Sequence, residues 1–337
     1  MTTNKQPATG NFWMHTLSRR HWLAGTASAA LASLATPAPV AAADDDTFTD
    51  LVDAHVHVWT PDTAKYPLAA GFTPADLQPP SFTAEELLAL CRPQGVSRVV
   101  LIQMSFYGFD NAYMLDCMRR HAPAFSGVAI VDHDAPGVQE TMRTLKADGV
   151  RGFRLYADAK KAAAWRDSPG MKAMWAEGAD SNLAMCLLAD PDALAPIGAM
   201  IERFPRTPVV IDHFARIGMK GGLDTPDARR DLDALVALAE HPQVTVKVSA
   251  YYALGAKKPP YDDLAPLVRR LRDAYGAGRL MWATDCPYQV QPGLNGEAHS
   301  YAASLGLVRD RLDFLSREER LDILRNTARR VFFDGKA

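Results

Sequence analysis

The chemistry in this chain gathers first in LVDAHVHVW at 51–59. The stretch is apolar and β-branched, which predicts a buried strand. Side chains on a strand alternate, so Asp53, His55 and His57 are expected on one face. Two histidines so spaced can grip one metal ion or one anionic substrate group. They can equally be hydrogen-bonded core residues; a matching Asp285 near the other end of the chain favours chemistry.

The 337 residues carry a formal net charge of -2 and are 48% hydrophobic. That suffices for one large globular domain or two ordinary ones. A near-neutral charge gives no reason to expect nucleic acid or an acidic membrane surface as partner, and no apolar run is long and pure enough for a transmembrane span. The segment 1–43 reads as a twin-arginine export signal: SRRHWL at 18–23, a weakly hydrophobic alanine-rich stretch, then Ala41-Ala42-Ala43 before Asp44. This predicts passage through the twin-arginine translocase, a mature protein in the periplasm from residue 44 on, and no membrane anchor after cleavage. Cys91, Cys117, Cys186 and Cys286 show no CxxC spacing, so zinc-ribbon and redox motifs are absent and no disulfide framework is expected.

The elements that must position these residues alternate from 51 on. Strand-like runs fall at 51–59, 97–103, 125–131, 150–155, 183–188, 208–212, 244–249 and 279–285. Most lack polar alternation, as expected of parallel strands buried on both faces. Helix starts lie between them: Ser168-Pro169, Thr225-Pro226, and the capping box of Ser316 and Glu319 before an amphipathic run to about Phe332. Eight strand–helix units over 44–337 predict a single-domain (β/α)8 TIM barrel. No GxGxxG follows the first strand and no P-loop is present, which weighs against nucleotide-binding open sheets. The proline-rich stretch 60–93 is too long for an ordinary loop and is expected to wall the active-site face.

Barrel chemistry belongs at the C-terminal strand ends. Those ends carry His55 and His57, Gln103 and Ser105, Arg154 and Tyr156, His213 and Arg216, Lys247 and Ser249, and Asp285. Buried charge is costly unless paired, so ionisable groups converging from five strands point to a site. Of the other histidines, His133 and His299 follow strands on the right face and are minor candidates for substrate contact. Tyr251 and Tyr252 are candidate pocket walls.

Together VDAHVHVW, YPL at 66–68, GVSRVVLIQ, GVRGFRL, VIDHFAR, VTVKVSA, MWATDCPY and ILRNTARRVF resemble the amidohydrolase-2 family of the amidohydrolase superfamily. Within it, the likeness is closest to the branch of sugar-acid lactonases and 2-pyrone-4,6-dicarboxylate lactonase. The resemblance makes His55 and His57 the first-strand pair, His213 the sixth-strand histidine and Asp285 the eighth-strand aspartate. Arg216 matches the arginine three residues after that histidine. Two-metal members need a bridging Lys or Glu on the fourth strand and a histidine on the fifth; this chain has Arg154 on the fourth and no histidine in LAMCLLAD. The resemblance therefore implies at most one divalent ion, held by His55, His57 and Asp285, or none. Zinc suits such a nitrogen-rich set best. The implied reaction is hydrolysis of a small acidic lactone, with Asp285 activating water, His213 and Lys247 assisting, and Lys247 donating to the developing oxyanion. Arg154 and Arg216 suit a substrate carboxylate, and Gln103 and Tyr156 complete the substrate-binding set. A non-oxidative decarboxylase of an aromatic or unsaturated acid is the alternative; a non-catalytic solute-binding barrel is a third. The oligomeric state is left open.

Overall fold

Eight short strands follow one another in a single parallel sheet: β1 (Leu51–Val56), β2 (Val96–Ile102), β3 (Phe125–Ala129), β4 (Val150–Ala157), β5 (Ala184–Ala189), β6 (Val209–Ile211), β7 (Val244–Val248) and β8 (Leu280–Trp282). The computed structural model describes residues 48–291 and 299–333; the export signal and cleavage site expected in 1–43 lie outside the described residues. Each strand pairs in parallel with the next, from β1–β2 to β7–β8. With helices between the strands, this is the expected single-domain (β/α)8 barrel. Val52, Ala54, Val100, Val128, Cys186 and Met281 belong to an inner apolar cluster. Ala328 and Phe332, from the last helix (Thr327–Phe332), close that cluster from below. Among the described residues no helix is long and apolar enough to cross a membrane.

The seam between β8 and β1 determines the site. The expected eighth strand, 279–285, leaves regular pairing after Trp282. The chain then crosses to β1: Asp285 N donates to His55 O and His57 N to Cys286 O, both at 2.9 Å. Asp53 clips the seam. Its carboxylate accepts from Thr284 N (3.0 Å), Thr284 Oγ1 (2.6 Å) and Tyr301 OH (2.7 Å). The expectation that Asp53 shares a face with the histidines is therefore corrected. Asp53 pairs with Val99 and Val56 with Leu101, so β1 holds one residue more than β2 across that interval. This bulge breaks the alternation, turning Asp53 toward the helix layer and both His55 and His57 toward the barrel mouth.

The helix starts read from the sequence are present. Ser168, Thr225 and Ser316 each cap a helix through their side chains, and the Ser316–Glu319 capping box is complete. The terminal run is not one α-helix: a π-helical segment (Asp322–Asn326) interrupts it. The stretch 60–93 forms an ordered wall. It pairs Trp59 with Phe82, accepts the Trp59 indole N–H at Pro79 O (2.8 Å), and packs Phe72 on Phe106. All four cysteines are free and buried, and burial pushes the Cys186 thiol up to about 12.

Candidate metal and active centre

Three imidazoles converge on one carboxylate at the mouth of the barrel. The Nε2 atoms of His57, His55 and His213 lie 3.2, 3.4 and 3.8 Å from Asp285 Oδ1. All four side chains are almost fully buried. Tyr252 donates to Asp285 Oδ2 at 2.6 Å, fixing the carboxylate so that its other oxygen meets the histidines. Burial opposes ionisation of Asp285, but the surrounding rings of His213, His57 and His55 outweigh it and hold the carboxyl well below its usual range. For His213, burial dominates and pushes the ring down to about 4, against the pull of Asp285 and Asp212; it is neutral at pH 7.

Each ring is held from behind. His57 Nδ1 lies 2.9 Å from Ile102 O. A carbonyl only accepts, so Nδ1 carries the proton and Nε2 is free to offer a lone pair. His213 Nδ1 meets Ser249 Oγ at 2.8 Å. His213 also begins four consecutive non-glycine residues at positive φ, His213, Phe214, Ala215 and Arg216, at 52–59°. The left-handed conformation costs an L-residue about 1–2 kcal/mol, and Asp285 (φ 66°) and Ala250 (φ 58°) share it. Backbone strain is thus concentrated around the carboxylate and the sixth-strand histidine.

These donors fit a divalent ion. Ligands bonded to tetrahedral zinc at about 2.0–2.1 Å stand about 3.3 Å from one another, close to the spacings found here. His55 Nε2 is buried without a hydrogen-bond partner among the described residues, and His55, His57 and Asp285 present ligand atoms within 4.8 Å of one another. A second group, His55, Asp212 and His213, meets the same spacing. There, however, the Lys247 ammonium stands 3.0 Å from both Asp212 Oδ1 and His55 Nδ1. A second cation would meet that charge.

The remaining expected site residues divide clearly. Arg154 is half-buried near His213 and Tyr288, whose protonation its charge affects, and no carboxylate of the described residues pairs with it. Arg216 is instead gripped by Asp190 and lies over the Tyr156 ring at 5.5 Å; the carboxylate it meets is the protein's own. Tyr156 OH also reaches Asp190, at 3.3 Å. Gln103 turns its amide N–H to Asp110 O, tying down the loop after β2 rather than facing the centre. Lys247 is fully buried beneath the histidines, so the expected direct donation to an oxyanion gives way to contacts with Asp212 and His55. His133 lies beside Asp134, and His299 stacks on Tyr261 with a 2.8 Å hydrogen bond to its hydroxyl.

Asp212 is a neighbour of the centre that the strand-end residues did not include, while Ser249 and Tyr252, expected at a strand end and in the pocket wall, prove to hold His213 and Asp285. Asp212 is signalled by the Asp-His pair that follows β6, since an acid beside a histidine at a barrel strand end is a natural partner. For Tyr252 the sequence marks a place after the seventh strand but not the contact with Asp285. Its position follows from Ala250, whose positive φ turns the chain back over Asp285.

An eight-stranded barrel with a His-X-His strand, a sixth-strand histidine and an eighth-strand aspartate at its mouth defines a class of hydrolytic enzymes able to hold a metal ion. The sequence model of the amidohydrolase family matches residues 52–333, and the chain belongs to that family. It is 29% identical over 238 residues to 4-sulfomuconolactone hydrolase of Rhizobium radiobacter, covering 70% of this chain and 75% of that one. It is 27% identical over 261 residues to L-fucono-1,5-lactonase of Burkholderia ambifaria, covering 75% and 85%. Among solved structures, an amidohydrolase from Burkholderia multivorans with bound zinc has the same fold, with a TM-score of 0.67 at 23% identity, covering 84% of this chain and 99% of that one.

Proposed function

We propose that the protein is a hydrolase that opens a small anionic lactone, with Asp285 activating the attacking water. The convergence of three buried imidazoles on Asp285 Oδ1 carries this reading. The lactonase relatives support the bond type, and the guanidinium of Arg154, with which no carboxylate of the described residues pairs, supports an acidic substrate.

Asp285 takes a proton from water as the water oxygen adds to the lactone carbonyl. The carbon–oxygen bond of the ring then breaks, and the proton passes from Asp285 to the departing alkoxide. Tyr252 holds Oδ2 so that Oδ1 stays the basic atom. His213, neutral and held by Ser249, is within reach of the reacting oxygen as a hydrogen-bond partner. Arg154 orients the substrate through its carboxylate or sulfonate. The wall at 60–93 and Trp59, packed near Tyr288, limits access of bulk water. His55, His57 and Asp285 would hold one divalent ion, and zinc fits the donor set; when bound, it polarises the carbonyl and lowers the pKa of water.

Base uptake against a panel of lactones, run beside carbon dioxide release from aromatic acids, tests the assignment. Acid production from lactones is expected. Carbon dioxide release without lactone opening would replace it with the decarboxylase alternative. Reading residues 1–43 as a twin-arginine-type signal, we further propose a periplasmic location, reached by way of the twin-arginine translocase.

A further inference from the structure

His55 meets partners through both ring nitrogens. Nε2 faces Asp285 Oδ1 at 3.4 Å. Nδ1 has two neighbours of opposite character, Lys247 Nζ at 3.0 Å and Asp212 Oδ1 at 3.4 Å. An ammonium only donates and a carboxylate only accepts, so one ring nitrogen cannot serve both. If Lys247 donates to Nδ1, a neutral ring carries its proton on Nε2, which then has no lone pair for an ion. If Asp212 accepts from Nδ1–H, Nε2 becomes a ligand.

A second observation bears on the choice. Asp212 is fully buried, and its one close donor is the Lys247 ammonium, 3.0 Å from Oδ1 but poorly aimed for a hydrogen bond; Oδ2 has no donor among the described residues, and His55 Nε2 is also without a partner. Buried polar atoms are seldom left this way. The Nδ1–H arrangement serves both residues: Asp212 gains a well-directed donor beside the Lys247 ammonium, and Nε2 gains an ion.

We propose that Lys247 and Asp212 exchange hold of His55: Lys247 keeps the ring as Nε2–H in the metal-free protein, and Asp212 takes Nδ1–H when an ion binds. Lys247 thus opposes metal binding, and Asp212 favours it. The ring holds one proton in both arrangements. The proton on Nε2 leaves to water and another is taken up at Nδ1, so the count is unchanged. The inference rests on the metal-centre reading above and extends it to residues that touch neither ion nor substrate.

The test combines zinc affinity, by chelator competition, with 15N NMR of histidine-labelled protein, which reports the protonated nitrogen directly. His55 is expected as Nε2–H in metal-free wild type and as Nδ1–H with zinc. Asp212→Asn should weaken zinc by roughly ten- to hundredfold, the scale for losing a carboxylate behind a ligand histidine, and Lys247→Met should tighten it severalfold. Removing a nearby positive charge would tighten zinc by itself, so the NMR decides between charge and exchange, and it decides even if Lys247→Met does not fold. An Nδ1–H His55 in the metal-free wild type would overturn the exchange. Failure of wild type and both variants to bind zinc would instead overturn the metal-centre reading, and the exchange with it.

Discussion

Four side chains, His55, His57, His213 and Tyr252, converge on Asp285, so its loss should be felt first in turnover. Asp285→Asn keeps the shape and removes the base. Turnover is expected to fall about a hundredfold or more, with KM little changed, and steady-state kinetics beside a circular-dichroism check of folding will measure both. Arg154→Met should do the reverse. A charge-assisted hydrogen bond is worth about 1.5–3 kcal/mol, so KM for an anionic lactone should rise tenfold or more while kcat changes little. An equal loss in kcat would mean that Arg154 acts on the reacting atoms. Arg216 carries no such expectation, because Asp190 already holds it. Arg154, His55, His57, His213 and Asp285 were legible in the sequence because ionisable groups are rare at the ends of buried strands. That Arg216 and Lys247 are taken by Asp190 and Asp212 was not, since residue type does not reveal which acid a cation will find in space.

The elements tell a similar story about what composition can carry. Unbroken apolar runs and capping pairs gave all eight strands and the main helix starts, because burial on both faces and N-cap chemistry are written locally. The bulge in β1 was invisible, since one extra residue leaves the composition unchanged while reversing the face of Asp53. The left-handed turn at His213–Arg216 was invisible too, as no glycine marks it. Asp53 yields a test at this scale. Burial raises its carboxyl to about 6, against the hydrogen bonds from Thr284 and Tyr301 that lower it. The folded value exceeds the ordinary 3.8, so the folded state binds the proton more tightly. That contribution to stability is complete below about pH 4 and is lost as pH rises through 6, a change of about 3 kcal/mol. Asp53→Asn has no such proton to lose. The urea midpoint of wild type relative to Asp53→Asn is expected to decline between pH 4 and pH 7; a constant difference would refute the assignment.

At the scale of the whole molecule, two neighbouring positions suit one cation each: His55, His57 and Asp285 could hold a divalent ion, and Lys247 stands beside Asp212. Elemental analysis of purified protein should therefore find no more than one equivalent of tightly bound divalent metal per chain. His55→Ala should reduce it far more than Arg154→Ala. Export belongs to the same scale: replacing Arg19 and Arg20 with lysine should leave the precursor in the cytoplasm, and an unchanged periplasmic yield on cell fractionation would exclude the twin-arginine route. The seam that closes the barrel has a further consequence in time. His57 meets Asp285 across 228 positions of chain, and Asp53 reaches Thr284 across 231 and Tyr301 across 248. The ribosome delivers the two histidines first and the aspartate nearly last. A nascent chain halted before residue 285 carries two of the three side chains that could hold an ion, and an unclosed sheet, so the site can form only near the end of synthesis, and contacts this distant in sequence make that final closure slow. A protein built this way acquires its chemistry in one late event, and a cell that moved it through a membrane as an extended thread would have to repeat that event on the far side.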